Sequence, residues 1–275
     1  MAGVKVIAGI ALATLLAGCS RSPAERVEWP VMGTVAAVQA RGGSPNEAAR
    51  CVRAAFADVE TLLDAHRRDS EISRLASLAD DAVVASCSEL VRPCYAAAID
   101  IEKASGGAFS PRWRGPGTLD LGAIAKGFAV DLAADAVAAE KAGADVLLDL
   151  GGNVKAVRGE WLVGVKDPEG AGFAARVRLR EGEALATSAT YYRGGHIRDG
   201  RTGAVVTNGV ASVTVLARSA MVADGLSTAL FVLGPEEGRE FVGRLPQSLA
   251  VTGGVSILWI MSDGRMIGGD RWLRD

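Results

Sequence analysis

The chain has 275 residues, 49% of them apolar, and a formal net charge of −2 at pH 7. That length allows one large domain or two small ones around a well-buried core. The near-neutral balance gives no electrostatic ground to expect a nucleic acid or acidic polymer as partner. With only two histidines, His66 and His196, a histidine-rich metal site is excluded.

The N-terminus opens with Lys5 and an apolar run from Val6 to Leu16, shorter than the roughly 20 residues a membrane span requires. The run ends in Leu16-Ala17-Gly18-Cys19, an order that resembles a bacterial lipoprotein signal in which Cys19 becomes the acylated first residue. Residues 1–18 are therefore expected to be a signal peptide. Residues 19–28 should form a polar tether and residues 29–275 one folded domain. Ser20 rather than Asp follows Cys19, which places the expected site of action at the periplasmic side of the envelope, on the outer membrane if there is one. Cys51, Cys87 and Cys94 remain. Outside the cytosol a disulfide is permitted, and an odd count leaves at least one thiol unpaired.

Val31 to Val38 reads as a short strand ended by Arg41-Gly42-Gly43. Ser44, with Pro45 at the first helical position and Glu47 at the third, opens a helix with Ala48, Val52, Phe56, Val59, Leu62 and Leu63 on one stripe. A polar turn over residues 67–75 runs into a short helix, and a second amphipathic helix is expected from Ser88 to about Ala104. Ser105 to Pro111 breaks it. The stretch Thr118 to Asp131 sets an apolar-flanked Asp120 before small residues and the pair Lys126-Gly127. An Ala-rich helical run then reaches about Lys141. A helix start with a lysine can receive a phosphate, and the same pattern also suits an ordinary packed helix entrance.

Strands are expected over Asp145–Leu150, Trp161–Val165, Arg176–Arg180 and Val210–Leu216, with a helix from Ser219 to about Leu233 ended by Gly234-Pro235. Ile257–Met261 and Arg265–Gly268 should pair across Ser262-Asp263-Gly264. Strands and helices mix without a regular βαβ beat, so the fold class is α+β with largely antiparallel sheet.

Asp224 and Thr228 share one face of the helix that follows Ser219. A carboxylate and a hydroxyl there suit Mg²⁺, while such i,i+4 pairs are common and the spacing alone favours a Thr bonded back to its own helix and a solvated Asp. His196 stands in a glycine-rich loop with Asp199 and Thr202, either as a general base or as a structural imidazole. No G-x-S-x-G, P-loop or G-x-G-x-x-G motif occurs, which removes support for a hydrolase triad, a Walker site or a Rossmann site.

Eight blocks occur in an order that resembles the ApbE-type FAD:protein FMN transferases. They are Met32-Gly33-Thr34, Ser70 to Leu75, Gly106-Gly107-Ala108-Phe109, Asp120 to Gly127, Leu150 to Asn153, Ala186-Thr187-Ser188, His196 to Gly203 and Ala220 to Thr228. The resemblance implies a T-fold-related architecture and an exported enzyme that binds FAD and Mg²⁺, cuts the pyrophosphate and joins FMN to a Thr or Ser of an acceptor protein. It assigns the metal to the Ala123 carbonyl, Asp224 and Thr228. FAD falls to Met32, Ala108, Phe109, Ser110, Asp120, Lys126 and Ile197, and catalysis to His196, with Asp199 as the alternative base. Three departures accompany it. Only Pro111 to Leu119 separate two blocks that the family usually spaces widely. Ser110 stands where the family usually has Asp, and Ala189 and Gly200 replace the usual Gly and Pro. Hydrolysis of FAD to FMN and AMP, and FAD binding without catalysis, are the alternatives.

Overall fold

In a computed structural model, residues 23–140, 143–190, 197–249 and 254–274 are described. Strands β1 (Glu25–Val31), β2 (Thr34–Arg41), β3 (Asp145–Leu150), β4 (Asn153–Arg158), β7 (Ala184–Ala189), β8 (Val210–Ala217), β9 (Ser256–Met261) and β10 (Met266–Gly268) form one sheet in that order. Strands β5 (Trp161–Lys166), β6 (Phe173–Leu179) and β11 (Leu273–Arg274) form a second. Every pairing between these strands is antiparallel, as the mixed pattern of the sequence implies. Helices α1 (Pro45–Leu63), α2 (Glu71–Leu75), α3 (Asp80–Ser86), α4 (Arg92–Ala104), α5 (Ala125–Ala139) and α6 (Ala220–Gly243) complete the elements.

The large sheet is apolar on both faces because it is covered on both. Val146, Leu148 and Leu150 of β3 join Val213 and Val215 of β8 in a core shared with the helices. The alternate residues Leu147, Val154, Leu185, Leu216 and Leu258 meet Trp161, Val163, Val177 and Leu179 of the small sheet in a second core. A strand buried on both sides loses its polar alternation, which is why β3 and β8 read as continuous apolar runs.

Four sequence expectations change. Val31 to Val38 is not one strand: Met32 (φ 50°) and Gly33 (φ 66°) form a two-residue turn between β1 and β2. Both residues take positive φ, the hairpin turn whose twist matches its strands, although a non-glycine usually avoids that region. Strand β1 begins at Glu25, inside the stretch read as tether. The second long helix starts at Arg92 rather than Ser88, because Pro93 lacks an N–H and belongs in a first turn. The Ser88 hydroxyl instead accepts from the Val91 amide, and α3 precedes it unannounced. Strand β4 is also new, entered through a Gly151-Gly152 turn with both residues at positive φ. Ser44 caps α1 as expected, and α6 leaves helical geometry at Gly234 (φ 72°, ψ −177°) before Pro235 restarts it. Cys51, Cys87 and Cys94 are all free thiols. Cys19 lies outside the described residues.

Asp149 of β3 is buried and accepts from the Gly152 amide at 3.0 Å. Burial pushes its carboxyl up from the ordinary 3.8 to about 6. A raised carboxyl pKa means that the folded chain holds the proton more tightly than the unfolded one. The stability it contributes is therefore fully present below about pH 4 and is lost as pH rises through 6, on the order of 3 kcal/mol. Asp149→Asn keeps an oxygen for Gly152 and removes the titration. Urea denaturation at several pH values should show the stability gap between variant and wild type widening in the variant's favour from about pH 4.5 to 7.5. A gap that stays constant would remove Asp149 as its source.

Candidate functional site

Two helices meet at glycine. A Cβ on Gly127 of α5 would stand 2.2 Å from the Ala220 carbonyl oxygen and 2.7 Å from the Asp224 Cβ, both in α6. With no side chain there, the Gly127 amide donates to Asp224 Oδ2 at 2.9 Å, and Lys126 Nζ reaches the same oxygen at 3.5 Å. Gly127 is the third residue of α5, so its amide has no acceptor within the helix, and Asp224 supplies one.

Asp131, four residues further along α5, fixes the crossing. Its carboxylate accepts from Ser219 Oγ (2.7 Å) and from the amides of Ala220 (2.9 Å) and Met221 (3.0 Å) at the start of α6. Lys155 of β4 ion-pairs with it at 2.6 Å. Ser219 in turn accepts from the Val222 amide, so the first turn of α6 is doubly capped.

Asp224 is buried, and desolvation pushes its carboxyl up; Lys126, the Gly127 amide and the Asn153 side chain oppose that shift. Asn153 Oδ1 is itself buried with no partner among the described residues. One turn along α6, Thr228 Oγ1 lies 3.2 Å from Ser188 Oγ of β7, which also bonds Ser227 at 2.8 Å. Carboxylate, carbonyl and hydroxyl are hard oxygen donors of the kind Mg²⁺ prefers. Lys126 at 3.5 Å is long for a charge-assisted bond and neutralises Asp224 incompletely. The donor set fits a divalent cation, although no group of three or more His, Cys, Asp or Glu side chains gathers among the described residues.

Asp120 accepts from the Gly122 amide at 2.9 Å, an Asx-type turn that sets the entrance to α5, and ion-pairs with Arg114 at 3.3 Å. The segment after Ser110 is tied down by Arg112, whose guanidinium donates to the carbonyls of Ala76 (2.8 Å), Leu78 (2.7 Å) and Thr118 (2.9 Å) and to Asp80 (3.0 Å). The Tyr95 hydroxyl and Arg112 hold the Asp80 carboxyl below its usual range. Ala108 and Phe109 point into the core, so they can offer a ligand only backbone. The Gly200 amide donates to the Ala108 carbonyl at 3.0 Å, and a Cβ on Gly200 would stand 2.7 Å from the Ser110 Cβ. Two of the three altered positions, Ser110 and Gly200, are thus in contact, and Ser110 donates to Glu102. Met32 donates its amide to Glu60 at 2.9 Å, and Ile197 is buried at the edge of the loop.

Asp199 is gripped by Arg201 through the backbone amide (2.9 Å), Nε (2.9 Å) and Nη2 (2.8 Å). Arg201 therefore holds its carboxyl below the usual range, which makes Asp199 a weak proton acceptor in this arrangement. His196 lies outside the described residues, and His66 is exposed beyond α1. A cavity of about 570 Å³ between the end of α4, Arg201 and the second arm of α6 is lined by Lys103, Gly106, Glu237 and Arg244, and not by the Asp224 group.

A family model described as the ApbE family matches residues 32–118 and 113–252. The chain belongs to the ApbE family. Its ApbE fold is shared with the flavin transferase ApbE from Vibrio cholerae (22% identity, TM-score 0.72, covering 90% of this chain and 98% of that one). It is also shared with the apo flavinyl transferase ApbE of Pseudomonas stutzeri (23% identity, TM-score 0.71, 93% and 97%). A Rhodobacter capsulatus protein named FAD:protein FMN transferase is 41% identical over 159 residues, 53% of this chain and 28% of that one. One of that name from Klebsiella pneumoniae is 38% identical over 129 residues, 44% and 40%. The chain thus spans less than half the length of these two curated relatives.

Sequence reasoning missed Asp131, which sits inside the quoted stretch without an assigned role, and Asn153, which ends a quoted block. A carboxylate mid-helix has no local sequence signal for the helix it caps. Gly127→Ala should destabilise the fold by at least about 1–3 kcal/mol, the usual cost of forcing atoms into a filled core. Urea unfolding of the variant measures it, and an unchanged midpoint would show that α5 and α6 can part without cost.

Proposed function

We propose that this chain is a Mg²⁺-dependent FAD:protein FMN transferase that modifies a Thr or Ser of an exported acceptor, working from a lipid anchor at Cys19 on the periplasmic side of the envelope. The observation that carries the reading is the convergence on Asp224: a buried carboxylate met by Lys126 only at 3.5 Å and by the Gly127 amide, with the Thr228 hydroxyl one turn along the same helix. The ApbE family match and the activity printed for the relatives support it.

Asp224, the Ala123 carbonyl and Thr228 would hold the cation. Bound there, Mg²⁺ neutralises charge that builds on the two phosphates of FAD during transfer. Lys126, already at the carboxylate, is within reach of a phosphate oxygen. Asp120 would accept from a hydroxyl or base edge, while Met32, the Ala108-Phe109-Ser110 turn and Ile197 wall the flavin nucleotide. The acceptor hydroxyl oxygen bonds to the phosphorus on the FMN side, the pyrophosphate P–O bond breaks, and AMP leaves with that electron pair. The hydroxyl proton passes to His196, because Arg201 depresses the basicity of Asp199.

The direct check is to mix the chain with FAD, Mg²⁺ and a flavoprotein-type acceptor fragment and to read the acceptor's mass. A gain of FMN, abolished by Asp224→Ala in a variant that unfolds like the wild type, is the expected result. FMN and AMP without labelled acceptor would replace transfer by hydrolysis, and wild-type turnover in Asp224→Ala would discard the metal assignment. His196→Ala should slow transfer by about 10²–10⁴-fold, the usual contribution of a positioned base, while FAD affinity stays within a few-fold. Wild-type rates across about pH 6–8 in that variant would take His196 out of the mechanism.

A further inference from the structure

The short segment Pro111 to Leu119 carries two side chains that the fold does not need for its core. Trp113 is half-buried and belongs to neither apolar cluster. Its ring carries the Arg114 guanidinium at 4.7 Å from the centroid. Arg114 Nη2 also meets Asp120 Oδ2 at 3.3 Å, with the Arg114 side chain 40% exposed and that of Asp120 18%. Asp120 accepts from the Gly122 amide, and Lys126 Nζ lies 3.5 Å from the Gly122 carbonyl. Arg114 and Lys126 therefore contact one turn, Arg114 at Asp120 and Lys126 at the Gly122 carbonyl, and Lys126 also reaches Asp224. The Trp113 carbonyl lies 3.5 Å from where a Cβ on Gly203 would be, so the segment also meets the 197–203 loop.

A partly exposed pair such as Arg114–Asp120 adds little stability by itself. A guanidinium has five N–H donors in a planar fork suited to phosphate. The single contact to Asp120 leaves most of them for another partner. The segment is already immobilised by the four Arg112 bonds and by the Asp120 amide donating to the Pro111 carbonyl at 2.8 Å. Holding Arg114 in place therefore costs little when a ligand arrives.

We infer that Arg114, stacked on Trp113 and steered by Asp120, is a phosphate-binding residue for the dinucleotide substrate, supplied by this short segment. It joins Lys126, which contacts the same turn, in engaging the pyrophosphate. This inference rests on the proposed FAD chemistry and adds a contact that the resemblance did not assign.

Equilibrium titration of the full chain with FAD, ADP and riboflavin, in Mg²⁺, tests it. Arg114→Ala should weaken FAD and ADP about tenfold or more, as expected for one charge-assisted contact, and leave riboflavin unchanged. Arg114→Lys should recover part of the loss. Trp113→Ala should shift the same two ligands in the same direction, and Trp113→Phe should restore them. Wild-type affinities for FAD and ADP in Arg114→Ala, with the wild-type chain still labelling an acceptor, would overturn this inference and leave the proposed function standing. Equal losses for riboflavin would overturn it as well, since the pocket rather than a phosphate contact would then have changed. A wild-type chain that binds no FAD would sink the proposed function and this inference together.

Discussion

The structure depends on one carboxylate that crosses from helix to helix. Asp131 accepts three hydrogen bonds from the opening of α6 and an ion pair from Lys155 of β4. It thereby fixes where α6 starts relative to α5 and to the large sheet. The amides at a helix start carry partial positive charge, so a carboxylate there satisfies orphan donors and complements the dipole at once. With that end fixed, Gly127 can lie against the Ala220 carbonyl and Asp224 can turn back toward α5.

The cost of this geometry appears at Asp224. A carboxylate removed from water and met by one amide, the Asn153 side chain and a lysine at 3.5 Å is poorly compensated, and its raised pKa expresses that. Proteins keep such groups where a cation or a reaction uses them. The sheet serves the same end. The turns at Met32-Gly33 and Gly151-Gly152 lie side by side, since the Gly151 amide donates to the Val35 carbonyl, and the second places Asn153 beside Asp224.

The short Pro111–Leu119 connection is held rigidly by its own hydrogen bonds. Arg112 replaces length with hydrogen bonds, tying the connection to residues 76–80 and to its own far end. Two of the altered positions meet: Gly200 has no Cβ to strike Ser110, and Ser110 turns its hydroxyl to Glu102. A side chain at position 200 would separate the 106–110 turn from the 197–203 loop.

The sequence by itself determined the elements with a local cause. Ser44 and Pro45 open α1, Gly234-Pro235 breaks α6, Ser262-Asp263-Gly264 turns β9 into β10, and the doubly apolar runs give β3 and β8. It also placed Asp224 and Thr228 on one helical face and Lys126 beside Gly127, because those relations follow from helix periodicity and adjacency. Only the tertiary structure decided that Asp131 caps α6, that Gly127 yields its amide to Asp224, that Asp199 is engaged by Arg201, and that Ser110 meets Gly200. Each joins residues on different elements or reverses a role that the local sequence leaves open. Burial, not residue type, raises the Asp224 carboxyl, and burial exists only once the sheet and helices have closed around it.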